Sequence, residues 1–347
     1  MIALQGLMSK RRRTVGPSLS AITDHDDGYL ANDCEWHPDG DFIAVAHNSG
    51  GNDELSVYSW DGSSLSQVET VNIGAHNREV RWHPNGDYLA VTSQVANKQL
   101  MVYSWNGTDT LAEVEAVNIG SDGEAISWNP DGDYLAFGTA ASTQLKIYSW
   151  NGSDTLAQVA TQSTSPNAIY GLDWNAAGTV LAAASGNGPR MYSWTVGTET
   201  IAAIDNVDIG AWCGWIAWSS ADESYIVFGT SVATKNLIVY DWDGSNLTEV
   251  ETIGHGAGFR ATCSFDSTGV YLFSGKYTIG AHASSKYIYA YTWDSTAETL
   301  TEISSLTWDG LGILEVEINP MDDSYLVSSV NRDATYAKTL RVDRTGL

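Results

Sequence analysis

Residue types that bind hard metal ions occur near the amino end, in the segment DHDDG at residues 24–28. Asp24, Asp26 and Asp27 place three carboxylates within four positions, and carboxylate oxygens are ligands that Ca²⁺ and Mg²⁺ prefer. The segment lacks the full ligand spacing of a calcium-binding loop. We therefore interpret it as a solvated turn, and an ion bound at Asp24–Asp27 is the alternative.

Motifs that carry catalysis are absent from the sequence. It contains no Gly-x-Ser-x-Gly nucleophile turn, no phosphate-binding loop and no His-Glu-x-x-His zinc motif. No carboxylate pair stands out from the acidic background, and the three cysteines have no metal-ligand spacing. We predict a protein that is not an enzyme and that has no cofactor and no bound metal.

Charge is distributed unevenly along the chain. The formal net charge is −25, yet Lys10, Arg11, Arg12 and Arg13 form a basic cluster near the start. An acidic body repels phosphate backbones, so we expect no nucleic-acid partner. No apolar stretch approaches the roughly 20 residues that span a bilayer, so membrane insertion is not expected either.

The first 16 residues combine an apolar stretch with that basic cluster and are too short to fold alone. We predict that residues 1–16 are an extended leader or docking arm and that residues 17–347 form one domain. A frayed terminus is the alternative. As a docking arm, the leader would bind an acidic site on another protein of a larger assembly.

A sequence repeat dominates the rest of the chain. Segments such as EWHPDGDFIAVAH, RWHPNGDYLAVTS and SWNPDGDYLAFGT recur seven times, spaced by about 46 residues. They align on one residue each, called the anchor here: Trp36, Trp82, Trp128, Trp174, Trp218, Phe265 and Ile318. Each repeat has room for four short strands, called a to d here, with Asp-Gly and Asn-Gly hairpin signals between them. Cys34 and Cys263 fall on the buried face of strand a, where a thiol serves as a small apolar side chain.

Four-stranded units with two apolar faces must pack against each other around an axis. The seventh repeat ends after strand c, whereas LSAITD at residues 19–24 reads as a strand d without its own a, b and c. We predict an all-β, seven-bladed β-propeller with four-stranded antiparallel blades, and this N-terminal strand closes the last blade.

The two ends of such a propeller differ in their loops. The a–b and c–d turns are short and we expect them to bind nothing, whereas the d–a and b–c connections vary and favour recognition. The candidate partner-binding residues at the variable end are the aromatic residues Tyr170, Trp212, Phe259 and Trp308 and the polar residues His76, Arg78, His255 and Arg260, together with Lys10, Arg11, Arg12 and Arg13 of the leader. Trp215, three residues before an anchor, is interpreted instead as a side chain that fills a gap between blades.

The motifs GDYLAV and VYSWDG resemble those of WD-repeat β-propellers, although the Gly-His pair of that family is mostly missing. Repeats of this style are closest to those of tailed-bacteriophage structural proteins. The resemblance implies a non-enzymatic virion protein of the tail or capsid, for assembly or host adhesion. Its partners would be other virion proteins and a host-surface receptor or glycan.

Two alternatives remain open at this point. One is a bacterial protein-interaction scaffold, inside the cell or in its envelope, with the cytoplasm as the expected location. The other is a lactonase-like propeller hydrolase, for which the sequence supplies no matching set of catalytic carboxylate, His and Arg positions.

Overall fold

The computed structural model describes residues 18–347 except 27, 50–52, 141–143, 165–166, 221–222, 279–286, 308–311 and 331–339. The described residues form strands joined by turns, with a single turn of 3₁₀ helix at Val196–Thr198. The leader at 1–16 and the basic cluster within it lie outside the described residues.

The strands follow the repeat. Strand β1 is Ser20–His25. Blade 1 contains β2 (Ala31–Trp36), β3 (Phe42–His47), β4 (Leu55–Trp60) and β5 (Leu65–Val71). Blade 2 contains β6 (Asn77–Trp82), β7 (Tyr88–Ser93), β8 (Leu100–Trp105) and β9 (Leu111–Val117). Blade 3 contains β10 (Gly123–Trp128), β11 (Tyr134–Thr139), β12 (Gln144–Trp150) and β13 (Leu156–Ser163). Blade 4 contains β14 (Ile169–Trp174), β15 (Val180–Ser185), β16 (Gly188–Thr195) and β17 (Thr200–Asn206).

The remaining blades vary more. Blade 5 contains β18 (Cys213–Trp218), β19 (Tyr225–Thr230), β20 (Leu237–Trp242) and β21 (Leu247–Ile253). Blade 6 contains β22 (Phe259–Ala261), β23 (Ser264–Phe265), β24 (Tyr271–Thr278), β25 (Ile288–Asp294) and β26 (Thr299–Leu306). Blade 7 contains β27 (Ile313–Ile318), β28 (Tyr325–Val330) and β29 (Leu340–Arg344).

Each blade is an antiparallel meander, and the blades close into a ring. In blade 6 the inner strand is split, and β22 and β23 both pair with β24. The inner strands contact one another in chain order, and β27 returns to β2. The chain is a seven-bladed β-propeller.

The N-terminal strand closes the ring as the sequence predicts. Strand β1 pairs antiparallel with β29, with Asp24 opposite Arg341 and His25 opposite Leu340. Leu19 is buried among residues of blades 6 and 7, and its backbone N–H donates to Ser304 Oγ at 3.2 Å. Pairing the two termini leaves no open edge on β29, where another chain would otherwise add a strand.

Aromatic side chains fill the space between neighbouring blades. The anchor Trp82 meets Trp105 of its own blade with ring centroids 5.8 Å apart, and Phe42 of blade 1 packs on the same Trp105 at 5.3 Å. The last blade repeats this packing on the first, since Tyr325 lies 5.3 Å from Trp60. These edge-to-face contacts run around the ring and add to its apolar burial.

The cysteines at the inner strands are apolar packing groups, as expected. Cys34 and Cys263 are free and buried, and burial raises the pKa of both thiols well above its usual value. A thiol that stays protonated in this way is unreactive.

The a–b turns join each blade to its neighbour. His37 Nε2 donates to the Gly86 carbonyl oxygen at 2.9 Å, His83 Nε2 donates to Gly132 at 3.0 Å, and Asn319 Nδ2 donates to Gly40 at 2.9 Å across the ring closure. In blades 1, 2 and 7 the residue that follows the anchor therefore holds the turn of the next blade. We call this set of bonds the inter-blade clasp.

Candidate functional site

A cavity of about 590 Å³ opens at the end of the propeller that carries the d–a and b–c connections. Four residues singled out in the sequence line it: Arg78, Tyr170, Trp212 and Arg260. They come from blades 2, 4, 5 and 6, so only ring closure brings them together. We call this space the central cavity.

An arginine–tryptophan pair forms one wall of the central cavity. The Arg260 guanidinium carbon lies 3.9 Å from the centroid of the Trp212 ring, a cation–π contact. Tyr170 lies beside the same indole, with ring centroids 5.7 Å apart. The indole also covers Gly214, because a Cβ built on that glycine would lie 2.0 Å from Trp212 Cη2. A residue without a side chain is needed at 214 for Trp212 to occupy this place.

Trp215 is half-buried: it packs against the core of blades 5 and 6 and also lines the central cavity. Its ring contacts Trp212 edge-to-face at 5.0 Å, and its Nε1 donates to Glu315 Oε2 at 2.6 Å. Glu315 belongs to blade 7 and Trp215 to blade 5, so this bond crosses the cavity past blade 6. The indole thereby fixes the position of a carboxylate on an inner strand. We call the part of the cavity that is lined by the inner strands its floor.

A group of carboxylates surrounds a single arginine on the floor, and the sequence analysis missed it. Arg81 Nη1 lies 2.6 Å from Asp33 Oδ2, and Arg81 Nη2 lies 2.5 Å from Glu79 Oε1. Glu35, Asp173, Glu315 and Glu317 occupy equivalent places on the inner strands of blades 1, 4 and 7. We call these six carboxylates and Arg81 the inner-strand cluster.

Members of the cluster bind backbone N–H groups of the next blade. Asp33 Oδ2 accepts from the Val80 N–H at 2.9 Å, Glu35 accepts from the Trp82 N–H, and Glu79 accepts from the Ile126 N–H. An inner strand has no hydrogen-bonded neighbouring strand on the side that faces the propeller axis. Its backbone N–H groups on that side therefore need such partners. The sequence places these carboxylates one and three residues before the anchor, a polar pattern in an otherwise apolar strand.

Burial changes the acidity of the cluster. It raises the pKa of Glu79 to about 8 and that of Asp173 and Glu317 to about 7, and the pKa of Glu35 and Glu315 rises well above its usual range for the same reason. The positive charge of Arg81 lowers the pKa of these carboxylates, but this one charge acts on six of them. Part of the cluster therefore stays protonated near neutral pH.

A second, smaller cavity of about 260 Å³ opens at the opposite end and is lined in part by Pro38, Pro84 and Pro320 of the a–b turns. Glu317 lines both cavities. The polar groups of the short turns at this end are largely used within the turns. Asn106 Oδ1, for example, accepts from the backbone N–H groups of Thr108, Asp109 and Thr110.

Other candidate residues lie away from the central cavity. His255 stacks on Tyr289 with ring centroids 4.4 Å apart, and burial lowers its pKa to about 4. His76 is half-buried in a d–a connection and does not line the cavity. The backbone of Phe259 begins β22, whereas Trp308 and the basic residues Lys10, Arg11, Arg12 and Arg13 lie outside the described residues.

Two further findings concern metals and membranes. Within the described ranges, no three His, Cys, Asp or Glu side chains are grouped so that they would hold a metal ion. Asp27 is not described, so the alternative of an ion at Asp24–Asp27 stays untested. No helix in the described part of the chain has the length and apolar character needed to cross a membrane.

Comparison with known proteins supports the architecture. The family model described as the ELP1 first N-terminal beta-propeller matches residues 9–151, which is less than half of the chain. No curated protein matches the sequence.

Several solved structures share this fold. A structure of U3-55K aligns with a TM-score of 0.70 at 12% identity, covering 95% of this chain and 100% of that one. A chain from a mitotic checkpoint complex aligns with a TM-score of 0.68 at 16% identity over 99% of both chains. A periplasmic gluconolactonase of Pseudomonas aeruginosa aligns with a TM-score of 0.70 at 13% identity, covering 87% of this chain and 98% of that one. At such identities the likeness concerns the fold alone.

Proposed function

We propose that this protein is a non-catalytic binding propeller that receives a ligand or partner on the face that contains the central cavity. The observation that carries this proposal is the placement of Arg260 against Trp212 at the mouth of a cavity of about 590 Å³. Concave sites with aromatic walls and a few oriented polar groups are typical of ligand-binding sites. Arginine and tryptophan are also the side chains that most often dominate binding energy at interfaces.

The frame around the cavity supports a binding role. The inter-blade clasp and the cluster's bonds to backbone N–H groups hold successive blades in fixed positions. A cavity wall assembled from several blades is then formed before a ligand arrives, which lowers the entropic cost of binding.

The proposal includes a place for the protein in a virion of a tailed phage, at the tail or capsid. The resemblance of the repeats to those of phage structural proteins supports this part. The basic leader would bind an acidic site of another virion protein, while the cavity face would contact the host surface. Among the structural neighbours, a chain of a mitotic checkpoint complex illustrates a propeller that works within a protein assembly.

Particle composition and adsorption test this function. Mass spectrometry of purified particles should detect the full chain, and a chain lacking residues 1–16 should fold but be lost from particles. Added purified protein should slow adsorption to host cells. Arg260→Gln should remove this competition, while Met321→Ser, a change at an exposed side chain of the opposite end, should retain it. Absence from particles together with recovery in a cytoplasmic complex would favour the scaffold function instead.

A lactonase activity is the second candidate. Structures named as gluconolactonases share the fold, and Glu317 on the cavity floor has a pKa of about 7, which suits a general base. The assay is hydrolysis of glucono-δ-lactone and its 6-phosphate by the purified protein. If the protein hydrolyses either lactone faster than the uncatalysed rate, and Glu317→Gln abolishes this activity, the protein is a lactonase and the non-catalytic proposal is wrong.

A further inference from the structure

Arg260 is a cation with no anionic partner in the described part of this acidic protein. Among the described residues, no ion pair or hydrogen bond reaches its side chain, and its Nε is buried without a hydrogen-bond partner. Burial lowers its pKa. The other arginines of the central cavity differ, because Arg81 binds Asp33 and Glu79, and Arg78 lies 3.7 Å from Glu124.

The stacking of Arg260 leaves its binding edge available. The guanidinium carbon lies over the Trp212 ring and Nε is buried, so Nη1 and Nη2 are the donors that a ligand can reach. These donors match the two oxygens of a carboxylate, which they bind in a bidentate manner. A ligand carboxylate would therefore supply the partner that the described residues do not provide.

The remainder of the cavity favours hydroxyl groups over apolar side chains. Glu315 and Glu317 lie on the floor, and the amide side chains of Asn32 and Asn48 line the rim. Carboxylates and amides accept hydrogen bonds from hydroxyls in several directions. Tyr170, which lies beside Trp212 and lines the cavity, offers the aromatic surface on which the C–H face of a sugar ring packs.

The charge of the floor does not exclude an anion. Burial raises the pKa of Glu79 to about 8 and that of Glu317 to about 7, so both carry less negative charge near neutral pH than exposed carboxylates do. The net negative charge below the ligand is therefore smaller than the number of acidic residues suggests. A volume of about 590 Å³ also exceeds what a single small anion fills and lies within the usual range for organic ligands.

We infer that the central cavity binds an acidic saccharide, with its carboxylate on Arg260, its ring against Tyr170, and its hydroxyls on the floor and rim. This inference rests on the proposed binding function and specifies its ligand class. A uronic or sialic acid has the required combination of one carboxylate, several hydroxyls and an apolar ring face.

Calorimetry with the full chain tests this inference with digalacturonate, a hyaluronan tetrasaccharide and sialyllactose as probes. At least one probe should bind, and its neutral methyl ester should bind about 10- to 100-fold more weakly, as expected for a lost charge-assisted pair. Arg260→Gln should weaken the acid by a similar factor and leave the ester unchanged, whereas Arg260→Lys should restore part of the affinity. Arg190→Gln, the same substitution outside the cavity, should change neither; thermal unfolding verifies that each variant is folded.

Two outcomes would overturn the inference: no probe binds, or tetraglutamate peptide binds more tightly than every saccharide with the same dependence on Arg260. If adsorption is still inhibited by the purified protein in either case, the proposed function stands and only the ligand class is wrong. If a saccharide binds through Arg260 but adsorption is not inhibited, the ligand class stands and the proposed role in host contact fails.

Discussion

The inter-blade clasp makes Gly132→Ala a sharp test of how the blades are held together. Gly132 has a φ of +78°, and a Cβ at this position would lie 2.2 Å from His83 Nε2. The left-handed backbone alone costs an alanine about 1–2 kcal/mol. Displacing His83 also leaves a buried donor unpaired, at about 1–3 kcal/mol, and weakens its contact with Trp128, whose ring centroid lies 4.8 Å away. We expect a total loss of about 3–5 kcal/mol in the free energy of unfolding.

Gly107→Ala is the matched control, because Gly107 has a φ of +81° and nothing within 4 Å of its Cβ position. It should cost only the backbone part, about 1–2 kcal/mol. Urea unfolding followed by tryptophan fluorescence and circular dichroism measures both. In a His83→Ala background the cost of Gly132→Ala should fall to that of Gly107→Ala. Equal losses for the two glycines in the wild-type background would refute the view that the clasp stabilises the ring.

Two further predictions concern the cluster and the ring closure. Because Glu317 has a folded pKa of about 7 against 4.5 when exposed, the folded state holds its proton longer, so stability should fall as the pH rises from about 5 to 8. Glu317→Gln should flatten this decline by up to about 3 kcal/mol in urea unfolding at several pH values, and an unchanged slope would contradict the assignment. Deleting residues 1–25 removes β1, so it should lower the melting temperature and cause aggregation through the exposed edge of β29. Deleting only residues 1–16 should have neither effect. Equal melting temperatures for the two deletions would contradict the role of β1 in closing the ring.

Much of the fold follows from local sequence signals. A strand alternates its faces and a hairpin turn needs Gly, Asn or Asp, so the repeats ending at Trp36, Trp82 and Trp128 already specify strands, turns and their order. Counting repeats and noting the missing last strand was sufficient to predict seven blades and the pairing of residues 19–24 with the carboxyl end.

The candidate site was predictable only in part. Arg78, Tyr170, Trp212 and Arg260 were chosen for residue type and loop position, and the structure places all four on one cavity. The same reasoning selected His76 and His255, which lie elsewhere because position along a loop does not determine the direction of a side chain.

By itself the sequence determined the period, the strand faces, the burial of Cys34 and Cys263 and the acidic composition, since each depends on residue types or on residues close together in the chain. Only the tertiary structure decided that Asp33, Glu79 and Glu315 share one cavity floor with Arg81, and that Trp215 of blade 5 reaches Glu315 of blade 7. These contacts join residues up to hundreds of positions apart, and they exist because a closed ring brings one edge of every blade to a common axis.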